Sequence, residues 1–178
     1  MQASLGYDPT ALNAGILFAR LVLGLALAAH GAQKLFGWFG GHGLAGTSAF
    51  FESLGFRPGR FFAMLAGLGE FCGGLLTALG FLGPVGPALM LGAMIGAMEI
   101  HWKSGFFAMN NGIELPLLYA AGALALAITG PGVYSLDALF GLQALWSPVY
   151  AWLAIIAASV GGVGSFILRR APRPMSTA

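Results

Sequence analysis

Five apolar stretches, each close to the length of a membrane crossing, occupy most of this 178-residue chain. A helix needs about 20 mostly apolar residues to cross the hydrocarbon core, with a range of about 17 to 25. The stretches run from about Ala11 to Gln33, from Phe61 to Leu82, from the Pro84 and Pro87 punctuation to Glu99–Trp102, from Ile113 to Thr129, and from Pro148 to Leu168. Gly130-Pro131-Gly132 stops the fourth, and Arg169, Arg170 and Arg173 close the fifth. Lipid offers no partner to backbone N–H and C=O groups, so each apolar stretch must satisfy its own as a helix. The expected fold is an all-α membrane protein: a four-helix transmembrane bundle with a fifth, C-terminal transmembrane helix.

Charge excludes other classes and sets a topology. Only 8% of residues are charged, against about 25% in soluble domains. The net charge is +2, and no basic stripe follows a phosphate backbone, so nucleic acid is not an expected partner. Cys72 is the only cysteine, which excludes an internal disulfide, a CxxC redox pair and a thiolate metal cage. Met1 to Asn13 lacks the Lys or Arg that precede a secretory apolar region, so it reads as a short translocated tail. With five crossings, Lys34, Arg57, Arg60, Lys103, Arg169, Arg170 and Arg173 fall on one side. The positive-inside rule then places the N-terminus outside and the C-terminus in the cytoplasm of a bacterial-type inner membrane. Four crossings would split these residues between the two sides.

The connecting segments have their own character. Phe36 to Gly43 (FGWFGGHG) is rich in glycine and aromatic residues and is expected to fold back at headgroup depth. Thr47 to Leu54 suits a short helix with Phe50, Phe51 and Leu54 on one side, and Leu136 to Leu145 a surface-lying amphipathic turn.

Ionisable residues at membrane depth cost about 2.5 to 3.5 kcal/mol each on insertion scales, so each calls for a role. Arg20 and Glu70 both lie about nine residues into their helices, at about 1.5 Å per residue, so antiparallel neighbours could bring them into contact. Arg20, Gly24, Ala28 and Gly31 share one stripe, and Gly67, Glu70 and Gly74 another. Gly69 and Gly73 add a small-xxx-small pair for close backbone approach. An Arg20–Glu70 pair can fix helix register, or shape a polar pocket for a head group or for protons. A second group collects toward the cytoplasmic side: His30, Lys34, Glu99, His101 and Glu114. These side chains can meet headgroups and water, or they can exchange protons with a quinone ring. Glu70, Glu99, His101 and Glu114 are the candidate catalytic residues, and Arg20, His30 and Lys34 the candidate cofactor-binding residues. Axial haem ligation by His30 and His101 lacks opposed buried positions, and His30, His101, Glu99 and Glu114 lack a compact metal-ligand spacing.

Several of these residues fall into motifs. Arg20-Leu21-x-x-Gly24 is followed by His30-Gly31-x-x-Lys34-Leu35, Glu70-Phe71-x-Gly73-Gly74 and Leu79-Gly80. His101-x-x-x-Gly105-Phe106-Phe107, Asn111-Gly112-x-Glu114 and Gly130-Pro131-Gly132-x-Tyr134-Ser135-Leu136-Asp137 complete the series. In this order the chain resembles the DoxX/DoxD-type membrane proteins over about Gly15 to Asp137. The resemblance implies a four-helix membrane domain over residues 1–137, with residues 138–178 a C-terminal extension carrying the fifth helix and a basic cytoplasmic tail. Family members are similar to the membrane subunit of thiosulfate:quinone oxidoreductase. That similarity implies polar-motif roles for Arg20, Lys34, Glu70, His101 and Glu114, quinone as the cofactor, and a partner subunit that handles sulfur chemistry.

Two functions are therefore weighed. One is a quinone-interacting membrane component of an oxidoreductase. The sequence has no nucleotide fingerprint, flavin motif or iron–sulfur ligand set, so no haem, flavin or metal is expected and electrons come from partner subunits of a membrane complex. The alternative is a non-catalytic membrane subunit that anchors or stabilises a larger complex. A small transporter with intramembrane carboxylates ranks behind both.

Overall fold

Asp8 starts the first helix. Its carboxylate accepts a hydrogen bond from Thr10 N at 2.8 Å, and Pro9 fills the first turn, where its missing N–H leaves nothing unpaired. This helix, α1 (Pro9–Phe36), ends at Gly37, whose φ of 74° is left-handed. The computed structural model describes residues 8–169; Arg170 and Arg173, two of the basic residues behind the expected orientation, lie outside them. Among the described residues there are six further α-helices: α2 (Gly43–Ser53), α3 (Gly59–Leu79), α4 (Val85–His101), α5 (Glu114–Thr129), the single turn α6 (Leu136–Leu139) and α7 (Pro148–Ile167). Each apolar stretch of the sequence is a helix, with ends within a few residues of expectation.

By length and composition α1, α3 and α7 can cross a membrane, and α5 is a shorter apolar helix. Large apolar side chains such as Phe18, Leu118, Ile156 and Val160 are exposed around the outside, as hydrocarbon solvent requires.

In lipid no water is released when helices meet, so packing must come from close van der Waals approach. The glycines supply it. An added Cβ at Gly24 would lie 2.6 Å from Gly74 O, and one at Gly31 2.4 Å from Phe71 N. The expected stripes, Arg20-Gly24-Ala28-Gly31 and Gly67-Glu70-Gly74, thus lie along the contact between α1 and α3, and all seven residues are buried. Gly69 and Gly73 serve the other side of α3, where a Cβ at Gly73 would meet Leu89 and Met90 of α4. α3 is therefore sandwiched between α1 and α4. α5 packs on α4 and touches α1, which completes a group of four helices, and α7 packs on α4 from outside it. Leu27, Met90, Met94, Ala123 and Ile155 form the main core, and Phe51, Phe56 and Phe62 tie α2 to α3 in a smaller one.

The connections are more specific than their composition suggests. Trp38–Gly40 forms a 3₁₀ turn that folds the chain back, and Gln33 Nε2 donates to Phe39 O across it at 3.2 Å. In α2, Phe51 is buried but Phe50 is exposed, so the two do not share one face as expected. The 136–145 segment is not a simple surface turn either. Asp137 is fully buried, and its carboxylate accepts hydrogen bonds from Leu82 N at 3.0 Å, Gly83 N at 2.7 Å and Trp146 Nε1 at 2.7 Å. One carboxylate thereby joins the α3–α4 turn to the approach of α7.

Candidate functional site

The close approach of α1 and α3 decides which charges meet. Gly31 against Phe71 and Gly24 against Ala78 set an antiparallel register in which Lys34 comes level with Glu70. Lys34 Nζ donates to Glu70 Oε2 at 2.5 Å, with the carboxylate side chain 5% exposed and the lysine 31%. The contact allowed for Arg20 and Glu70 does not form. Arg20 sits nearly four turns from Lys34, opposite Gly80, and donates to Pro131 O at 2.8 Å and Tyr134 O at 2.5 Å. Its guanidinium tethers the chain after α5 to the far end of the bundle, within the electrostatic reach of Asp137. Two polar centres thus stand nearly four turns apart along α1.

The Lys34–Glu70 pair borders a cavity of about 200 Å³ between α1, α4, α5 and the loop before α5. His30, Lys34, Glu70 and His101 contribute its titratable side chains, and Leu27, Met94 and Leu115 are among its apolar ones. His101 is held by a 2.7 Å contact between Nδ1 and Asn111 O. A carbonyl only accepts, so Nδ1 is the donor in this contact and Nε2 is the ring nitrogen left for another partner. His30 stacks edge-on against Tyr119 of α5, with ring centroids 6.2 Å apart.

Of the seven candidate residues, four line this cavity and three do not. Glu114 accepts a hydrogen bond from Ala108 N at 2.8 Å and so pins the loop that carries Asn111. Glu99 lies half-buried within the electrostatic reach of Arg169 beyond α7. Arg20 belongs to the distant end. Among the described residues no three His, Cys, Asp or Glu side chains gather as metal ligands.

Two further positions, present in the motifs, have structural roles that the sequence did not assign. Asn111 holds His101 through its backbone at a left-handed φ of 57°, which Asn tolerates, and the Asn111-Gly112 pair is its signal in the sequence. Asp137, in a segment expected to lie at the surface, is a buried acceptor. Only its place in a Ser-Leu-Asp helix start hinted at this, with Ser135 Oγ accepting from Ala138 N.

A second and larger space, about 520 Å³, lies between α2, α3, α4 and α7. Its walls are apolar, and it shares Lys34, Glu70, Ala97 and His101 with the first. The ion pair and His101 therefore stand where a small polar cavity meets a long apolar groove.

A model of the DoxX family matches residues 15–102. The chain is also 35% identical over 130 residues to "Inner membrane protein YqjF" of Escherichia coli, covering 71% of this chain and 92% of that protein. The chain belongs to the DoxX family. A second relative, "Uncharacterized membrane protein Rv3486" of Mycobacterium tuberculosis, is 30% identical over 133 residues, covering 68% of this chain and 78% of that one. No solved structure matches the chain. As a DoxX protein with several apolar helices it is an integral membrane protein, and the lipid bilayer is its surroundings. The matched residues run from α1 to the end of α4, so they contain Lys34, Glu70 and His101.

Proposed function

We propose that this DoxX protein is a quinone-interacting component of a membrane oxidoreductase. The observation that carries the reading is the Lys34–Glu70 pair, set beside His101 at the junction of a polar cavity and an apolar groove. A bound quinone would supply a two-electron, two-proton redox couple; the residues present suit its carbonyl head. The Lys34 ammonium keeps donors beyond the one spent on Glu70, and the neutral pair accepts an uncharged ligand without leaving a net charge in the membrane. His101 can take a proton at Nε2 while Asn111 O holds Nδ1–H. Glu70 holds the lysine in place. Electrons arrive from a partner subunit.

The protein sits in the inner membrane, in keeping with the name of its relative, and crosses it five times through α1, α3, α4, α5 and α7. Lys34, Arg57, Arg60, Lys103 and Arg169 all lie at or beyond the same ends of antiparallel helices, and the positive-inside rule makes that end cytoplasmic. His101 then opens on the cytoplasm.

The test is the quinone content of protein purified in mild detergent, read by extraction and mass spectrometry, for the wild type and Glu70→Gln. Near-stoichiometric quinone in the wild type, lost in a folded Glu70→Gln protein, is the expected result. No quinone in either, with the same proteins co-purifying, would overturn the redox reading in favour of an anchoring subunit.

A further inference from the structure

The apolar groove is built as a site. α7 approaches α4 closely at only part of its length: a Cβ at Gly162 would lie 2.9 Å from Gly92 O, and one at Gly92 3.2 Å from Ala158 O. Beside that contact the two helices do not fill the space between them. An added Cβ at Gly96 of α4, or at Gly161 of α7, would meet nothing within 4 Å. Glycine at these two positions is not required by helix packing, and both positions line the groove. Gly69 and Ala93 form more of its shallow floor, and Phe50 and Phe62 wall one side.

The groove ends at Lys34, Glu70 and His101, the same side chains that border the polar cavity. A ligand that uses both spaces must have a compact polar head and one long apolar chain. The charge at the junction selects the head. Lys34 is already paired with Glu70, so a phosphate there would meet a buried carboxylate and no uncommitted cation. A neutral carbonyl ring meets neither objection.

We propose that the groove between α3, α4 and α7 holds the polyprenyl tail of a quinone whose head lies in the Lys34–Glu70–His101 cavity. This rests on the quinone reading above and adds to it a role for α7, which lies beyond the family-matched residues, as a wall of the binding site. A prenyl chain carries a methyl branch on every unit and is stiffer than a saturated acyl chain, so it needs the width that Gly96 and Gly161 leave open.

Filling those positions tests the assignment. Gly96→Leu and Gly161→Leu place side chains in the groove without striking backbone, and Gly15→Leu, at a position equally open but on α1 outside the groove, is the control. Affinities are measured in detergent for octaprenyl ubiquinone and for the same ring without its tail, together with the phospholipid retained after purification. The membrane already solvates a free tail, so the groove adds packing and not hydrophobic transfer. Each groove variant should then weaken octaprenyl binding by about tenfold. Tail-less binding should stay within error of wild type, which also shows that the variants are folded.

Equal octaprenyl affinity in wild type and both groove variants would overturn the tail site and leave quinone binding intact. Loss of both ligands together would overturn it too, because the groove would not be separable from the head site. Loss of bound phospholipid with unchanged octaprenyl binding would give the groove to an acyl chain instead. Failure of the wild type to bind either quinone would remove the quinone reading itself, and the tail site with it.

Discussion

Removing Glu70 while keeping Lys34 is the perturbation that most directly separates a structural from a functional ion pair. The two charges are 2.5 Å apart, the carboxylate 5% exposed. At an effective dielectric near 20 their gross attraction is about 7 kcal/mol, most of it offset by the cost of taking both groups out of water. The net worth of the pair is therefore small, but leaving one buried charge alone costs about 3 to 5 kcal/mol. Lys34 keeps 31% of its side chain exposed and can turn toward the interface, which places Glu70→Gln near the lower end, at about 3 kcal/mol. Lys34→Met should cost a similar amount, since it strands the carboxylate. The double variant Lys34→Met/Glu70→Leu strands nothing and should cost well under the two singles together, with a coupling of about 2 kcal/mol. Reversible unfolding of the four proteins in mixed detergent micelles measures that coupling. Additive costs, with no coupling beyond error, would refute the pairing and the register that produces it. A stable double variant that no longer carries quinone would show that the pair serves the ligand as well as the fold.

The other expectations concern different parts of the chain. Asp137→Ala removes the acceptor for two backbone N–H groups and the Trp146 indole, so it should destabilise by about 3 kcal/mol or more. Asp137→Asn should cost less, and Trp146 fluorescence should report the loosened α7 approach in both; unchanged emission would count against the contact. Gly31→Val forces α1 away from the Phe71 backbone and should cost at least about 1 to 3 kcal/mol. The same change at Gly164, where nothing lies within 4 Å, should be close to neutral in thermal unfolding. In a Cys72→Ala background, a cysteine at Ser104 should be labelled by an impermeant thiol reagent only in inside-out vesicles. One at Gln143 should be labelled only from the outside; the reverse pattern would invert the topology.

The membrane class, the position of each long helix and the small-residue stripes are local properties, and they were legible in the sequence. Apolar runs near the bilayer thickness and glycines recurring at helical spacing need no tertiary partner to be recognised. The residues that gather around the cavity were legible as types: His30, Lys34, Glu70 and His101 are polar groups at membrane depth, where each demands a reason. Their partners were not legible. Counting from each helix start put Arg20 and Glu70 at the same depth, but α1 runs 28 residues against 21 for α3, and their relative slide is set by where glycine meets backbone. A shift of that size moves Arg20 to the Pro131–Tyr134 chain and brings Lys34 to Glu70. Charge alone could not rank those pairings, because either cation neutralises the carboxylate equally well. Asp137 shows the same limit: its burial depends on the α3–α4 turn and Trp146 closing over it from distant parts of the chain. Sequence determines what each helix must bury; only the packed helices decide against which neighbour, because register is a property of two surfaces and no single strip of sequence contains both.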